Sequence, residues 1–245
     1  MTTRTVLITG GSRGIGAAMV RAFASRGQRA FFSYRVASDK ALSLEKELAQ
    51  QGHWARSIQA DFGTAAGVEG LLTEIVGHDI DILINNAAVL HYCDFWSVGL
   101  DVWDETQAVN LLAPTLLAQR LMPRMMEKGW GRVINMASIG GQWGGTLAVP
   151  YAVSKAALIG LTRSLAKLAA KSGVTANAIA PGLVATEIIQ GEMYTEEFEK
   201  KVASIPVGRI ADVDEVVQVA LFLASDAASY ITGQTINVNG GMYFT

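Results

Sequence analysis

Short apolar runs alternate along the chain with longer stretches in which apolar residues recur at helical spacing. The short runs are rich in β-branched and aromatic residues, which is typical of strands, whereas the longer stretches predict helices. Seven strands are expected, at residues 4–9, 29–34, 53–60, 81–85, 131–137, 174–180 and 234–239. Helices are expected between them, at residues 14–26, 39–51, 64–77, 101–127, 150–171 and 212–224.

This regular alternation predicts the fold class. Several short runs are apolar at consecutive positions, as expected for strands of a parallel sheet that helices cover on both faces. Strand, helix and strand in succession form right-handed βαβ units. We therefore expect an α/β protein with a doubly wound Rossmann fold, a seven-stranded parallel sheet and helices on both faces.

The pattern also predicts the domain organisation. No repeat, linker or low-complexity tract interrupts it, so residues 1–245 are interpreted as one domain. Residues 187–206 are different, because they are charged, carry spaced apolar residues and are not followed by a strand. We interpret this stretch as a lid over a substrate.

Composition narrows the function classes. Half of the 245 residues are apolar, and the net charge of −2 without a basic run argues against a nucleic-acid partner. No apolar run reaches the roughly 18 residues of a membrane helix, and the first residues do not resemble a signal peptide. Cys93 is the only cysteine, which excludes an internal disulfide and favours a cytoplasmic protein. No metal site is expected, because the three histidines lack ligand spacing.

A glycine-rich stretch, "TGGSRGIG", follows the first strand. Its spacing differs from G-x-G-x-x-G, but the physical requirement is the same: a tight turn that brings backbone amides at a helix N-terminus close to a pyrophosphate. A purely structural turn is the alternative. The residues expected to bind a cofactor here are Gly10, Ser12, Arg13, Gly14, Ile15 and Gly16.

The end of the second strand indicates which dinucleotide is bound. A carboxylate there would accept hydrogen bonds from the adenosine ribose, whereas an arginine would pair with a 2′-phosphate. Arg35 stands at this position and Arg13 lies in the glycine turn, while Asp39 fits better as a helix N-cap. The two cations favour NADP(H), and the alternative is that both are ordinary solvated arginines.

Polar residues follow several strands at what should be one edge of the sheet. Asp61, Asn86 and Ser138 follow the third, fourth and fifth strands, and Tyr151 begins the next helix. Ligands of open α/β sheets bind at the carboxyl ends of the strands. We therefore expect these residues to form one site.

Tyr151 and Lys155 are four residues apart, so they lie on one face of a helix. A carbonyl that accepts a hydride must also receive a proton, and a free tyrosine with a pKa near 10 donates it poorly at neutral pH. A cation about 4 Å away supplies roughly the 4 kcal/mol needed to lower that pKa to about 7. We therefore expect Lys155 to lower the pKa of Tyr151.

The motifs "TGGSRGIG", "NNAA", "YAVSK" and "PG", together with Asn110 and Ser138, resemble the short-chain dehydrogenase/reductase family in its short single-domain branch. The resemblance covers essentially the whole chain. The tail "NVNGGMYFT" is most similar to the 3-oxoacyl-acyl-carrier-protein reductases of this family. The resemblance implies a Rossmann sheet, a nicotinamide dinucleotide cofactor and a single domain that both binds the dinucleotide and catalyses the reaction.

The resemblance also implies catalytic roles. Tyr151 would be the acid/base, Lys155 would tune it and hold the nicotinamide ribose, Ser138 would donate to the carbonyl oxygen, and Asn110 would hold a relay water. Asn110 and Pro114 both disfavour a helix interior, so the helix should bend or unwind near them. The alternative for Asn110 is a bend residue that bonds its own backbone.

Further cofactor contacts follow from the same resemblance and from the ends of the strands. Thr186 resembles the residue that bonds the nicotinamide carboxamide, although an N-cap is nearly as good an interpretation. The full set outside the glycine turn is Tyr34, Arg35, Asp61, Phe62, Asn86, Ala87, Tyr151, Lys155, Pro181, Gly182, Val184 and Thr186.

The chain departs from the carrier reductases in "VLHYCDFW", where these enzymes usually have a more polar segment. The aromatic residues there, with Trp143 in the loop after Ser138, predict a pocket for a bulky or unsaturated substrate. Core or subunit contacts are the alternative. The predicted substrate-binding residues are His91, Tyr92, Trp96, Gln142, Trp143, Leu183 and Met193.

Three functions are carried forward. The first is NADPH-dependent reduction of a β-ketoacyl thioester linked to an acyl carrier protein or coenzyme A. The second is a dehydrogenase or reductase of a free alcohol or ketone. The third is a non-catalytic nucleotide sensor or scaffold, which would not need a proton donor.

Two kinds of protein partner are expected. A carrier protein would need a basic docking surface, for which the candidates are Arg124, Lys128, Arg132, Lys167 and Lys171. The helices at 101–127 and 150–171 are apolar over much of their circumference, which favours a core or a partner around them. Family members commonly form tetramers through these helices, so we expect a homotetramer.

Overall fold

The computed structural model describes residues 3–186 and 195–244. Seven strands form one sheet, in which every neighbouring pair is parallel and the order is β3-β2-β1-β4-β5-β6-β7. The strands are β1 (Thr5–Ile8), β2 (Arg29–Tyr34), β3 (Ala55–Gln59), β4 (Ile82–Asn85), β5 (Gly131–Met136), β6 (Val174–Pro181) and β7 (Thr235–Val238). The fold class is therefore the doubly wound α/β sheet that the sequence predicts.

The helices connect successive strands. In the described residues they are α1 (Gly14–Ala24), α2 (Ser38–Gln50), α3 (Ala65–Glu74), α4 (Leu100–Gln107), α5 (Ala113–Glu127), α6 (Gly140–Trp143), α7 (Val149–Ala169), α8 (Glu196–Ala203) and α9 (Val213–Ala224). Short 3₁₀ turns lie at Phe95–Ser97, Ala170–Ser172 and Asp226–Ala228.

Apolar side chains cover both faces of the sheet, as continuous apolar strands require. Ile8 and Phe32 pack into a core on one face with α1 and α9, whereas their neighbours Leu7 and Phe31 pack into a second core with α3, α5 and α7. Adjacent strand residues point to opposite faces, so each strand contributes to both cores. The carboxyl ends of the strands are left open at one edge.

The predicted helix at 101–127 is interrupted in its middle. Residues Ala108–Leu112 form a π-helical turn between α4 and α5. Pro114 lacks an N–H and its ring would clash with the carbonyl of Asn110 in a regular α-helix, and the wider turn avoids this conflict. The break predicted near Asn110 and Pro114 therefore takes the form of a local π-helical turn.

The predicted lid is described only in part, because residues 187–194 lie outside the described residues. Its second half forms α8, whose N-cap Thr195 accepts a hydrogen bond from the Phe198 amide. Phe198 and Ile205 are buried. This half is therefore anchored to the body of the protein, and closure over a substrate stays a prediction.

The apolar helices that suggested a tetramer pack largely inside the chain. Among their residues, Leu117, Met122, Met125, Leu158 and Leu165 are buried in the core, and Leu116, Leu121, Met126 and Leu161 pack against it. These residues therefore do not require a second subunit. In the part of the chain that the structure describes, no helix is long and apolar enough to span a membrane.

Candidate active site

The glycine turn joins β1 to α1 at the open edge of the sheet. Gly10 has a φ of +67°, and a Cβ on it would lie 2.9 Å from Cα of Ala87. A Cβ on Gly16 would lie 2.1 Å from the carbonyl oxygen of Gly10. Both positions therefore require glycine, because a side chain would push the turn away from the neighbouring backbone.

The N-terminus of α1 faces this turn and offers unpaired amides. Its N-cap is Arg13, which makes no side-chain capping hydrogen bond, and no acidic residue lies in its first turn. Free N–H groups and the positive end of the helix dipole favour an anion. The residues present therefore fit the pyrophosphate of a dinucleotide, as the sequence predicts for Gly10 to Gly16.

Thr9, which sequence reasoning missed, holds the residues that follow β4 against the glycine turn. Its Oγ1 accepts from the amides of Asn86 and Ala87, each at 2.9 Å. The Nδ2 of Asn86 donates to the carbonyls of Thr9 and Gly10 at 2.9 and 3.1 Å. The only signal in the sequence is a hydroxyl residue directly after β1, which many strands share.

A cavity of about 620 Å³ opens beside the ends of β2 and β3. Its wall includes Arg35 and Asp61, two of the predicted cofactor contacts. Its size and place at the carboxyl ends of the strands fit an adenosine group. Arg13 is exposed in the glycine turn, and Arg35 lines the cavity while it pairs with Glu105.

Not every predicted cofactor residue has a free side chain. Phe62 and Val184 are buried in the apolar cores, so a cofactor could reach only their backbone. Pro181 ends β6, and its carbonyl accepts from the Ile139 amide at 3.0 Å. Thr186 lies across the glycine turn, because a Cβ on Gly14 would be 3.7 Å from its Cγ2.

Lys155 is buried in α7, with 2% of its surface exposed. Its Nζ donates to the carbonyl of Met136 at 2.6 Å and lies 5.5 Å from the ring centroid of Tyr151. Burial lowers the pKa of Lys155 to about 8 because a desolvated ammonium is less stable than a neutral amine. Lys155 can therefore gain or lose a proton near neutral pH.

The expected lowering of the Tyr151 pKa is not found in the protein alone. Burial raises the pKa of Tyr151 above its ordinary value, a hydrogen bond with Ser138 opposes this, and nearby Tyr92 raises it further. The prediction considered only the attraction of a nearby cation and left out the burial of the phenol, which outweighs the hydrogen bond with Ser138. Tyr151 therefore keeps its proton.

The Ser138 hydroxyl lies beside Tyr151, as the sequence predicts. It accepts a hydrogen bond from the Gly140 amide at 3.1 Å, which orients it. The following Gly141 packs directly on α7, since a Cβ there would lie 2.7 Å from the carbonyl carbon of Lys155. This close approach holds the Ser138 loop against the helix that carries Tyr151.

Asn110 is fully buried in the π-helical turn and bonds to neighbouring elements. Its Oδ1 accepts from the Val89 amide at 2.9 Å, and its Nδ2 donates to the Val89 carbonyl and to Ser154 Oγ, both at 3.0 Å. It therefore clamps the segment after β4 to α7. The alternative in which it bonds its own backbone is wrong, and its role toward a water stays a prediction.

The predicted substrate residues fall into two groups. Tyr92 and Trp96 are exposed after β4, and Trp143 is exposed in the loop after Ser138. The two segments are joined by a hydrogen bond from the Cys93 amide to the Leu147 carbonyl at 2.9 Å. They form one aromatic rim, which we define as residues 92–96 and 143–147.

The C-terminal tail also contacts this rim. Tyr243 in the C-terminal tail, which sequence reasoning missed, packs edge-on to Trp143 with ring centroids 6.4 Å apart.

The other predicted substrate residues differ in their surroundings. The Oε1 of Gln142 is buried and has no hydrogen-bond partner in the described protein. The Nε2 of His91, another predicted substrate residue, lies 2.9 Å from Oε2 of Glu105 and is engaged with this side chain. Leu183 is partly exposed after β6, and Met193 lies outside the described residues.

The proposed carrier-docking cations are not near this site. Arg132 is buried and bonds backbone carbonyls, Arg124 pairs with Asp79 and Glu127, and Lys128 pairs with Asp81. All five candidates lie where strands begin or where α5 and α7 end. Because these helices run antiparallel to the strands, that edge is opposite Tyr151. Arg132 is therefore not available to a carrier protein, and docking at the other cations stays a prediction.

No group of three histidine, cysteine, aspartate or glutamate side chains could hold a metal ion in residues 3–186 and 195–244. The glycine turn, the open α1 N-terminus and the cavity beside Arg35 instead fit an anionic dinucleotide. Ser138, Tyr151 and Lys155 lie at the same sheet edge. The arrangement can place a dinucleotide beside a proton donor.

Comparison with known proteins agrees with this geometry. The family model described as enoyl-(acyl carrier protein) reductase matches residues 10–243. The chain is 37% identical to acetoacetyl-CoA reductase of Rhizobium meliloti, over 99% of both chains. It is 36% identical to a 3-oxoacyl-[acyl-carrier-protein] reductase of Aquifex aeolicus, over 97% of this chain and 96% of that one.

Solved structures give the same result. The structure assigned as an NAD(P)-dependent gluconate 5-dehydrogenase from Beutenbergia cavernae, with NADP bound at low occupancy, superposes with a TM-score of 0.93. It is 35% identical and covers 99% of this chain and 97% of its own. From the full-length matches and the glycine turn, Ser138, Tyr151 and Lys155 on one sheet edge, we conclude that the chain belongs to the short-chain dehydrogenase/reductase family.

Proposed function

We propose that the protein is an NADPH-dependent reductase of a β-ketoacyl thioester, linked to coenzyme A or to an acyl carrier protein. The observation that carries the proposal is the hydrogen-bonded pair Ser138 and Tyr151 with Lys155 beneath it, at the edge that holds the glycine turn. Relatives named for 3-oxoacyl and acetoacetyl thioester reduction support the substrate class. The NADP bound by a structural relative supports the cofactor.

The cofactor would lie along the open edge of the sheet. The glycine turn and the amides at the start of α1 would hold its pyrophosphate, and Arg35 with Arg13 would face its 2′-phosphate. Lys155 and Thr186 would contact its nicotinamide half. When bound, NADPH supplies the hydride that reduces the carbonyl carbon.

The side chains of this protein would then stabilise the carbonyl oxygen of the substrate and supply the proton that it takes up. Ser138 Oγ, which is oriented by the Gly140 amide, would donate to the carbonyl oxygen and stabilise the charge that develops on it. Tyr151 would donate its proton to the same oxygen, since its raised pKa keeps it protonated at neutral pH. Lys155, whose Nζ lies 5.5 Å from the Tyr151 ring centroid, would hold the nicotinamide ribose beside the phenol.

The test is NADPH oxidation with acetoacetyl-CoA and longer β-ketoacyl thioesters, against free ketones of similar shape. Tyr151→Phe should lower kcat/KM by at least about 100-fold, because general acid catalysis contributes that much. Tyr230→Phe is the matched control, since Tyr230 is fully exposed and remote in the chain. Full activity of Tyr151→Phe would refute the mechanism.

A free polyhydroxy acid or its ketone is the second candidate. One structural relative is assigned as a gluconate 5-dehydrogenase, and the buried Oε1 of Gln142 needs a donor such as a hydroxyl. The pantetheine amide of a thioester would also supply a donor. Turnover of gluconate or 5-ketogluconate without turnover of any thioester would decide for the free acid, and no turnover of any compound would favour a sensor or scaffold.

A further inference from the structure

Arg35 is held by an acidic residue that comes from a distant element. Its Nη1 donates to Oε1 of Glu105 in α4 at 2.8 Å. The other carboxylate oxygen, Oε2, lies 2.9 Å from Nε2 of His91. Both oxygens of Glu105 are thus engaged, and the hydrogen bond with His91 keeps Oε1 directed at the arginine.

This ion pair stands on the wall of the adenosine cavity. Arg35 lines the cavity, and its carbonyl accepts from Nε2 of Gln59 at 3.1 Å, which fixes its backbone from β3. The side chains of Arg35 and Glu105 are 48% and 34% exposed, so an anion from solvent can reach the guanidinium. Arginine has five N–H donors and can bind a second anion beside the carboxylate.

We propose that Glu105 is a specificity-determining residue, which competes with the 2′-phosphate of the cofactor for Arg35 and so weakens binding of NADPH relative to NADH. The inference rests on the NADP part of the proposed function. A phosphate at Arg35 would lie close to the Glu105 carboxylate, and like charges repel. A 2′-phosphate that binds Arg35 must therefore either displace Glu105 or lie beside the negative charge of Glu105.

The experiment measures binding to the full-length chain by titration calorimetry at low ionic strength. The probes are 2′,5′-ADP and 5′-AMP, which differ only in the 2′-phosphate. Glu105→Gln removes the charge and keeps the shape. It should lower the Kd of 2′,5′-ADP about five- to tenfold and change the Kd of 5′-AMP less than twofold, and the gain should shrink in high salt.

Two further variants test whether the change in affinity is specific to Glu105 and requires Arg35. Glu74→Gln is the matched control, because Glu74 pairs with Arg56 at 2.9 Å with similar exposure, near the amino end of β3. It should change neither Kd. In the double variant Arg35→Ala with Glu105→Gln, the gain for 2′,5′-ADP should vanish, since the competition requires Arg35.

The outcomes are distinguishable. If Glu105→Gln leaves the Kd of 2′,5′-ADP unchanged or raises it, Glu105 does not compete and the inference is overturned. An equal gain for 5′-AMP, or a gain that survives removal of Arg35, overturns it as well. If the unaltered protein binds 2′,5′-ADP no better than 5′-AMP, the proposed NADP preference itself fails. Thermal unfolding confirms that each variant is folded.

Discussion

At the scale of single residues, the buried Lys155 links the stability of the protein to pH. Its pKa is about 8 in the folded chain and near 10.5 when unfolded. Between these values the unfolded chain binds one more proton than the folded chain, so the free energy of unfolding rises with pH. This contribution is complete above about pH 10.5 and is lost as pH falls through 8.

We therefore expect the wild type to gain stability relative to Lys155→Met as pH rises from 8 to 10. The gain should approach about 1.4 kcal/mol per pH unit, because one proton separates the two states. Urea unfolding of both proteins at each pH gives the difference, in which the other titrating groups cancel. A difference that does not change with pH would show that Lys155 is not desolvated.

From the sequence, we could predict contacts between residues that lie close together along the chain. Tyr151 and Lys155 are four positions apart on one helix, so their proximity followed from helix geometry alone. Glu105 was not predicted, because it meets Arg35 from 70 positions away. The raised pKa of Tyr151 was also missed, since the burial of the phenol depends on the packed site.

At the scale of elements, the π-helical turn depends on the hydrogen bonds of Asn110. Asn110→Ala removes three of them and leaves the Val89 amide and carbonyl without their partner. We expect a loss of about 2–3 kcal/mol in the free energy of unfolding. Ser154→Ala removes only one of these bonds and should cost about 1 kcal/mol, which makes it the graded control.

Chemical denaturation of the two variants measures these values. Equal losses would mean that the Val89 bonds contribute nothing, which would contradict the clamp. Retained nucleotide binding in both variants would separate the loss of stability from damage to the cofactor site.

The strands and long helices could be predicted because their apolar periods reflect burial on one or both faces of the sheet. The seven predicted strands agree with the observed ones to within about two residues at each end. The short helix α6 was not predicted, since "GGQW" has glycines where a helix usually has none. A break near Asn110 was predicted from proline and asparagine, but its π-helical form was not.

At the scale of the whole molecule, the homotetramer stays a prediction, and different residues now support it. The helix residues that pointed to a partner lie in the core or pack against it, whereas Leu112 is 49% exposed beside a cavity of about 350 Å³ at the junction of α4 and α5. The same cavity is lined by Asp104, Gln107, Ala108, Leu111 and Thr115. A mostly apolar cavity on an exposed helix junction favours contact with a second copy.

We expect Leu112→Glu to dissociate the assembly, because a buried carboxylate without a partner costs several kcal/mol. Light scattering after size exclusion gives the mass of each variant. Leu42→Glu is the matched control, since Leu42 is 47% exposed on α2. If both variants keep the mass of the wild type, Leu112 is not at an interface.

The π-helical turn also affects how the sequence between α4 and α5 is aligned. A π turn accommodates one residue more than an α turn, and each residue of an α-helix advances by about 100°. Glu105, which holds Arg35, lies before the turn, and Leu112 lies at its end. Deleting one residue between them would restore a regular helix and leave the faces of α4 and α5 in nearly the same phase, because the wide turn takes up the extra residue. A homologue that lacks this residue could therefore lose the π turn and still keep both the contact to Arg35 and the apolar junction.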